Sequence, residues 1–172
     1  MTQYSWSQKI RTIKSEDFNK IRKSVEVLCR PQVISRAFAH ASMNPDLEVA
    51  GLLIGPPPLG QCQIINKYMP CDYAIATVGS VKITPKDFYE IKKKIKPSEI
   101  VVGWGHSHPG YGAFISSQDY KVEDDFQAFY SDSVALVIDP FHPFNVNYGF
   151  FRIINGQVAQ LPYRFLIGRL NI

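Results

Sequence analysis

Residues 100–119 read IVVGWGHSHPGYGAFISSQD. The run Ile100-Val101-Val102 is that of a buried strand, and the alternation of side chains along a strand puts His106 and His108, two positions apart, on one face. Pro109 ends the strand, and a loop with Gly110 and Gly112 follows. Ser116 then reads as a helix N-cap, with the carboxylate of Asp119 three residues on. The pattern is H-x-H-x7-S-x-x-D. Two imidazoles at a strand end and one carboxylate in the next helical turn make an N/N/O donor set. That is the ligand count of a catalytic zinc, which keeps a fourth position open for water, whereas a structural zinc closes its shell with four protein ligands, usually including thiolates. No cysteine lies near this stretch. Each residue has an ordinary alternative, two partly buried histidines and a plain capping pair, but their coincidence at one strand-to-helix junction favours the metal.

A hydrolytic zinc needs a proton carrier beside it. The candidate is Glu48, in the run Leu47-Glu48-Val49-Ala50-Gly51-Leu52-Leu53-Ile54-Gly55, where a lone carboxylate opens an otherwise apolar strand that ends before Pro56-Pro57-Pro58. An ionised carboxylate is costly there unless it is paired or near a cation. The ordinary alternative is an exposed strand end.

E-V-x-G-L-L-x-G, followed about fifty residues later by G-W-x-H-S-H-P-x6-S-x-x-D, resembles the signature of the JAMM (MPN+) metalloproteases. Glu48, His106, His108, Ser116 and Asp119 fill all five signature positions, and the likeness extends more weakly from about Val25 to about Leu161, with Val137-Ile138-Asp139-Pro140 as the strand after the helix. The resemblance is strongest to the deubiquitinating subunit of the proteasome lid and its archaeal relatives. It implies a single MPN (JAMM) domain with a cytidine-deaminase-like α/β fold. It also implies one catalytic Zn2+ held by His106, His108 and Asp119, with Glu48 as general acid/base and Ser116 helping to hold the oxyanion. The implied activity is removal of ubiquitin or a ubiquitin-like modifier from conjugated proteins by direct attack of water. Two departures are visible. Gly105 stands where lid-type members carry a bulkier residue, and the sequence ends at Ile172 without the long C-terminal helices of lid subunits, so that integration into a proteasome lid is not expected.

A folded modifier can be cleaved from a lysine only if its extended tail reaches the metal, and such a tail is best held by main-chain hydrogen bonds to a free strand edge. Residues 73–78, Tyr73, Ala74, Ile75, Ala76, Thr77 and Val78, combine β-favouring and small side chains and are the candidate edge; the resembled family pairs the ubiquitin tail with the corresponding insertion.

Working outward, Val25-Glu26-Val27-Leu28 alternates as a strand. Pro31 opens a helix with Val33, Ile34, Ala37, Phe38 and Ala41 on one face, ending near Met43. A strand from about Cys62 to Met69 is expected to pair antiparallel with the Glu48 strand. Thr84-Pro85-Lys86-Asp87 caps a helix with Phe88, Ile91 and Ile95 buried, closed by Pro97. Val122, Phe126 and Phe129 mark the apolar side of the helix after Ser116. Residues 133–139 are a buried strand, and Asn155-Gly156 joins two more strands as a hairpin. Strands interleaved with helices give an α/β fold, with a mixed, largely antiparallel sheet flanked by helices in two or three layers. Residues 1–23 form an N-terminal extension of unknown role, and residues 24–172 the catalytic domain.

A chain of 172 residues, 45% hydrophobic, supports one domain with a real core. The polar N-terminus has no signal-peptide pattern, and no apolar run approaches the ~18–20 residues that span a bilayer, so no membrane partner is expected. Three scattered cysteines without C-x-x-C argue against disulfides or a thiolate zinc site and fit a reducing, cytoplasmic compartment. The net charge of +4 is mild, and the lysine run at 92–96 lacks the aromatic interleaving of a nucleic-acid platform. Two rival functions remain: a non-catalytic MPN scaffold, and another zinc hydrolase such as a deaminase, whose P-C-x-x-C pair this chain lacks.

Overall fold

The computed structural model describes residues 26–58, 60, 62–141 and 147–168. The expected N-terminal extension, residues 1–23, lies outside the described residues. Along the chain run β1 (Val27–Cys29), α1 (Pro31–Ser42), β2 (Ala50–Gly55), β3 (Gln63–Ile65), β4 (Lys67–Pro70), β5 (Ile75–Ala76), β6 (Val81–Lys82), α2 (Pro85–Lys92), β7 (Ile100–Ser107), α3 (Ser117–Phe129), β8 (Val134–Ile138), β9 (Tyr148–Ile154), β10 (Gln157–Gln160) and β11 (Tyr163–Phe165).

Six strands form the main sheet in the order β10-β9-β8-β7-β2-β4. Every pairing is antiparallel except β7 with β8, which α3 connects as a crossover. A parallel pair needs such a long connection. One face of the sheet packs Leu53, Tyr68, Leu136 and Phe150 against α1, through Val33 and Ala37, and against β1. The opposite face packs Leu52, Ile54, Trp104 and Val137 beneath α2 and α3, through Ile91, Val122 and Phe126. Three layers result. β2 is buried along its whole length, as a central strand covered on both faces must be, which is why its sequence is a continuous apolar run.

A bulge in β7 decides which face its side chains take. Leu53 pairs with Gly103 and Ile54 with Val101, leaving Val102 as the extra residue. Val102 enters the core shared with Leu53, while Val101 and Trp104 both enter the other. A Cβ on Gly103 would lie 2.0 Å from the Val134 carbonyl oxygen, so only glycine fits at the bulge. Gly105 also makes room. It pairs with Gly51, and Tyr68 fills the space under both, its ring 3.3 Å from where a Gly105 Cβ would be. The Tyr68 hydroxyl bonds His40 Nδ1 at 3.0 Å. A tyrosine beneath the sheet takes the volume that a larger residue at 105 would need.

The hairpin at Asn155-Gly156 forms as expected, with positive φ of 52° and 75° at its two turn residues. Several expectations are corrected. The segment from Cys62 to Met69 is not one strand: β3 pairs parallel with β1 in a separate three-stranded sheet, β11-β1-β3, and only β4 pairs with β2. The chain crosses close over Gly55, where a Cβ would meet the Ile64 carbonyl, and changes sheets at Asn66, whose N–H goes to Ile54. α2 ends at Lys92, ahead of Ile95 and Pro97. Phe129 is 94% exposed; the buried stripe of α3 is Asp119 and Glu123 with Val122 and Phe126 beside them, and Tyr130, where the chain leaves the helix, turns inward instead. Phe88 is likewise exposed, its ring tilted against that of Phe126.

Candidate metal centre

The site lies at the carboxyl end of β7, where the chain leaves the sheet for α3. Past the strand end the chain stays beside β8, because the His108 N–H donates to the Ile138 carbonyl at 2.8 Å. The loop that follows is tied down by Asp139, fully buried, which accepts the Gly110 N–H at 3.0 Å, the Gly112 N–H at 2.7 Å and the Phe141 N–H at 2.8 Å. Gly112, thus fixed, presents its carbonyl to His108 Nδ1 at 3.2 Å. A proton on Nδ1 would leave the His108 Nε2 lone pair for a cation in the site, whereas without a cation Nε2 is the atom that reaches Asp119.

Ser116 and Asp119 form a complete capping box. Asp119 N–H donates to Ser116 Oγ at 3.2 Å, and the Ser116 N–H donates to Asp119 Oδ2 at 2.8 Å. The cap and the site are therefore one structure: the bond that starts the helix also aims the carboxylate. His106 Nε2 lies 3.2 Å from Asp119 Oδ1, His108 Nε2 lies 3.2 Å from Asp119 Oδ2, and the two Nε2 atoms are 2.9 Å apart. All three residues are buried, and their donor atoms fall within 4.8 Å of one another. Two Nε2–H groups could not face each other across 2.9 Å, so at least one lone pair is aimed at a point shared with a carboxylate oxygen. That donor set fits a divalent cation.

The charges are strongly coupled. Burial works to raise the Asp119 pKa, but hydrogen bonds from His106 and His108 win and hold it well below the usual carboxylate range. Burial lowers His106, with Asp119 pulling the other way. For His108 burial also lowers, yet the bond and charge of Asp119, with Glu48 and Gly112, outweigh it and leave the imidazole raised.

Glu48 is buried just ahead of β2, its Oε1 4.0 Å from His108 Nε2. Burial pushes its carboxyl up to about 7, with His108 opposing and Asp119 reinforcing. Its backbone is fixed on both sides. The Glu48 N–H donates to the Thr77 carbonyl at 3.1 Å, the Val49 N–H donates to Ser107 Oγ at 3.0 Å, and the Ser107 N–H donates to the Val49 carbonyl at 3.0 Å. Residues 73–78 are thereby attached to the site: β5 pairs with β6, and Thr77 carries the contact to Glu48.

Four residues outside the sequence-derived set support the site: Ser107, Asp139, Trp104 and Glu123. Trp104 stacks on His106 with centroids 4.5 Å apart, and its Nε1–H donates to Glu123 Oε2 at 2.9 Å. Ser107 and Trp104 stand inside the quoted motif. Asp139 was marked only as part of the run at residues 137–140 and Glu123 not at all, since their partners lie on other elements.

A mixed-sheet α/β domain with two histidines and an aspartate gathered at a strand-to-helix crossover, and a buried glutamate beside them, defines the class. The chain belongs to the JAB1/Mov34/MPN/PAD-1 ubiquitin protease family, which it matches over residues 22–132. It is similar to the 26S proteasome non-ATPase regulatory subunit 14 of Dictyostelium discoideum, with 32% identity over 111 residues, covering 59% of this chain and 34% of that protein. It is similar also to the 26S proteasome regulatory subunit RPN11 of Encephalitozoon cuniculi, with 31% identity over 134 residues, covering 71% and 43%. The chain thus spans less than half the length of these relatives. Its fold matches the solution structure of a protein from Desulfitobacterium hafniense with a TM-score of 0.67 at 21% identity, over 83% of this chain and 94% of that one. Among the described residues no helix is long and apolar enough to cross a membrane.

Proposed function

We propose that this protein is a zinc-dependent isopeptidase that removes ubiquitin or a ubiquitin-like modifier from conjugated proteins. The observation that carries this reading is the convergence of His106, His108 and Asp119 on one buried point, with the Glu48 carboxylate 4.0 Å from His108. Zinc held by those three residues would supply Lewis-acid chemistry, acidifying water and polarising the scissile carbonyl. Glu48 takes the proton of the attacking water at its carboxylate and delivers it to the leaving lysine amine, a task suited to a carboxyl whose pKa burial has brought to about 7. The Ser116 hydroxyl accepts the Asp119 N–H, which leaves its own proton to donate to the developing oxyanion. His108, aimed by Gly112, and Asp119, aimed by the capping box, keep the donors in place without rearrangement. No side-chain nucleophile is required.

The modifier's tail adds as a strand beside residues 73–78. In the hairpin, Thr77 N–H bonds the Ser80 carbonyl, and the alternation of an antiparallel ladder turns the N–H of Ala76 to the side away from β6. An extended tail bonded there would run toward Glu48 through Thr77. Partners are accordingly ubiquitin-like conjugates, and the likeness to proteasome subunits makes proteasome substrates the first to try. The deciding experiment is cleavage of ubiquitin and ubiquitin-like conjugates with and without a chelator, beside Glu48→Gln; chelator-insensitive cleavage, or none with any conjugate, would reject the reading.

A further inference from the structure

The two histidines are held in different ways. His108 has Nδ1 against the Gly112 carbonyl, whereas His106 Nδ1 is buried with no hydrogen-bond partner among the described residues. A metal-ligating imidazole is ordinarily aimed by a hydrogen bond at its second nitrogen. His106 is aimed by a ring instead: the Trp104 indole lies flat against it, 8° from parallel, and itself stacks near Phe126 with centroids 6.0 Å apart. The indole is itself pinned by the bond from its Nε1–H to Glu123 Oε2.

The placement of that bond matters. Glu123 lies one turn beyond Asp119 on α3, and Trp104 one strand repeat before His106 on β7, so the bond joins the helix that bears Asp119 to the strand that bears His106. It is also a poor choice for packing alone. Glu123 is almost wholly buried, Oε2 has only Ser133 Oγ at 3.4 Å besides the indole, and Oε1 has no partner among the described residues. An apolar side chain of similar size would avoid the desolvation of that carboxyl.

We propose that Glu123 is a positioning residue for the metal centre, acting through Trp104 to hold the His106 imidazole and to fix the spacing between β7 and α3. The proposal rests on the zinc reading of the site. It separates from a merely structural link because it predicts that stability and metal affinity part company.

The test uses the full chain in a Trp6→Phe background, so that Trp104 is the single indole. Zinc dissociation constants are measured on the metal-free protein by competition with a chromophoric chelator, with melting temperature and Trp104 emission recorded alongside. Glu123→Leu should bind zinc at least about tenfold more weakly, with a smaller change in indole emission on zinc addition and a melting temperature close to the parent's, because the stranded indole N–H is offset by the relieved desolvation of the carboxyl. Glu123→Gln, which keeps an acceptor for the indole, should restore both affinity and emission response. Equal zinc affinity in Glu123→Leu and the parent overturns the proposal and leaves the zinc site intact. Absence of zinc binding by the parent overturns the site reading and the proposal together. Should Glu123→Leu fail to fold, Trp104→Phe, which keeps a ring but loses the donor, is measured by chelator competition and melting temperature alone: weakened binding supports the proposal and unchanged binding overturns it.

Discussion

Ser107, the residue between the two histidines, accepts the Val49 N–H at 3.0 Å on the face of β7 opposite His106. Its own N–H returns to the Val49 carbonyl, so Glu48 is held in register beside His108 by a pair of bonds one residue away. Replacing Ser107 with alanine strands a buried N–H, at a cost of about 1–3 kcal/mol, and loosens Glu48 while leaving His106, His108 and Asp119 untouched. Ser107→Ala is expected to lower the melting temperature and kcat with zinc content near that of the parent. Calorimetry, elemental analysis and kinetics on one preparation check this; a variant with normal kcat would show that Glu48 needs no such register.

The ligand set makes its own forecast. His106→Ala removes one of three donors converging on a single point, and zinc measured by elemental analysis should fall from near one per chain to a small fraction. Metal content unchanged in that variant would place zinc elsewhere.

Glu48→Gln keeps the shape of the side chain and removes the proton acceptor. Zinc content and melting temperature should match the parent, while turnover falls by about 10²–10⁴-fold. Substantial residual turnover would assign the proton transfer to another group.

What the sequence made legible, and what it did not, divides by range. His106 and His108 share a face because a strand alternates, and Ser116 and Asp119 meet because a capping box spans three residues; both geometries are local and survive in the fold. Glu48 was found as a carboxylate in an apolar run, a local anomaly that burial explains. The β3–β4 division was not legible, since nothing in residues 62–69 tells that β1, far off in sequence, offers the better parallel partner for the first half. Phe129 misled for a related reason: helical spacing puts it at the margin of the apolar stripe, and at that end of α3 Gln127 and Tyr130 make the contacts to the rest of the fold while Phe129 stays exposed. Asp139 stands in the run at residues 137–140 and Glu123 beside the apolar stripe of α3, but neither position tells of the loop and the indole that they hold, because those lie on other elements.

Glu123 also gives a pH forecast. Burial pushes its carboxyl up to about 8, against the pull of the Trp104 and Ser133 bonds and the Arg152 charge. An acid whose folded pKa lies above its unfolded value stabilises the fold fully at pH below the unfolded value, near 4.5, and loses that contribution as pH rises toward 8. Glu123→Gln cannot lose a proton. The melting-temperature difference, variant minus parent, should therefore grow from pH 5 to pH 8.5. A difference independent of pH over that window would mean that Glu123 is ionised throughout.

The tail-binding edge is tested by a substitution that spares everything else. Ala76 lies in β5 opposite Val81, and because Thr77 makes the ladder bond to Ser80, the Ala76 N–H points away from β6. Proline at 76 removes that donor without taking a hydrogen bond from the hairpin, and the extended backbone that proline requires of the preceding residue is the one Ile75 already has as part of a strand. The contact from Thr77 to Glu48 uses a carbonyl and is retained. If a modifier's tail pairs with this edge, Ala76→Pro should cut kcat/KM for a folded ubiquitin-like conjugate about tenfold, or ~1.4 kcal/mol, with zinc content and melting temperature unchanged. The loss should appear mainly in KM, because the donor contacts the tail in the bound substrate as much as in the transition state. Parent-like kinetics in a well-folded Ala76→Pro would move the tail to another edge of the cleft, where the same substitution strategy would be repeated beside the loop that Asp139 holds.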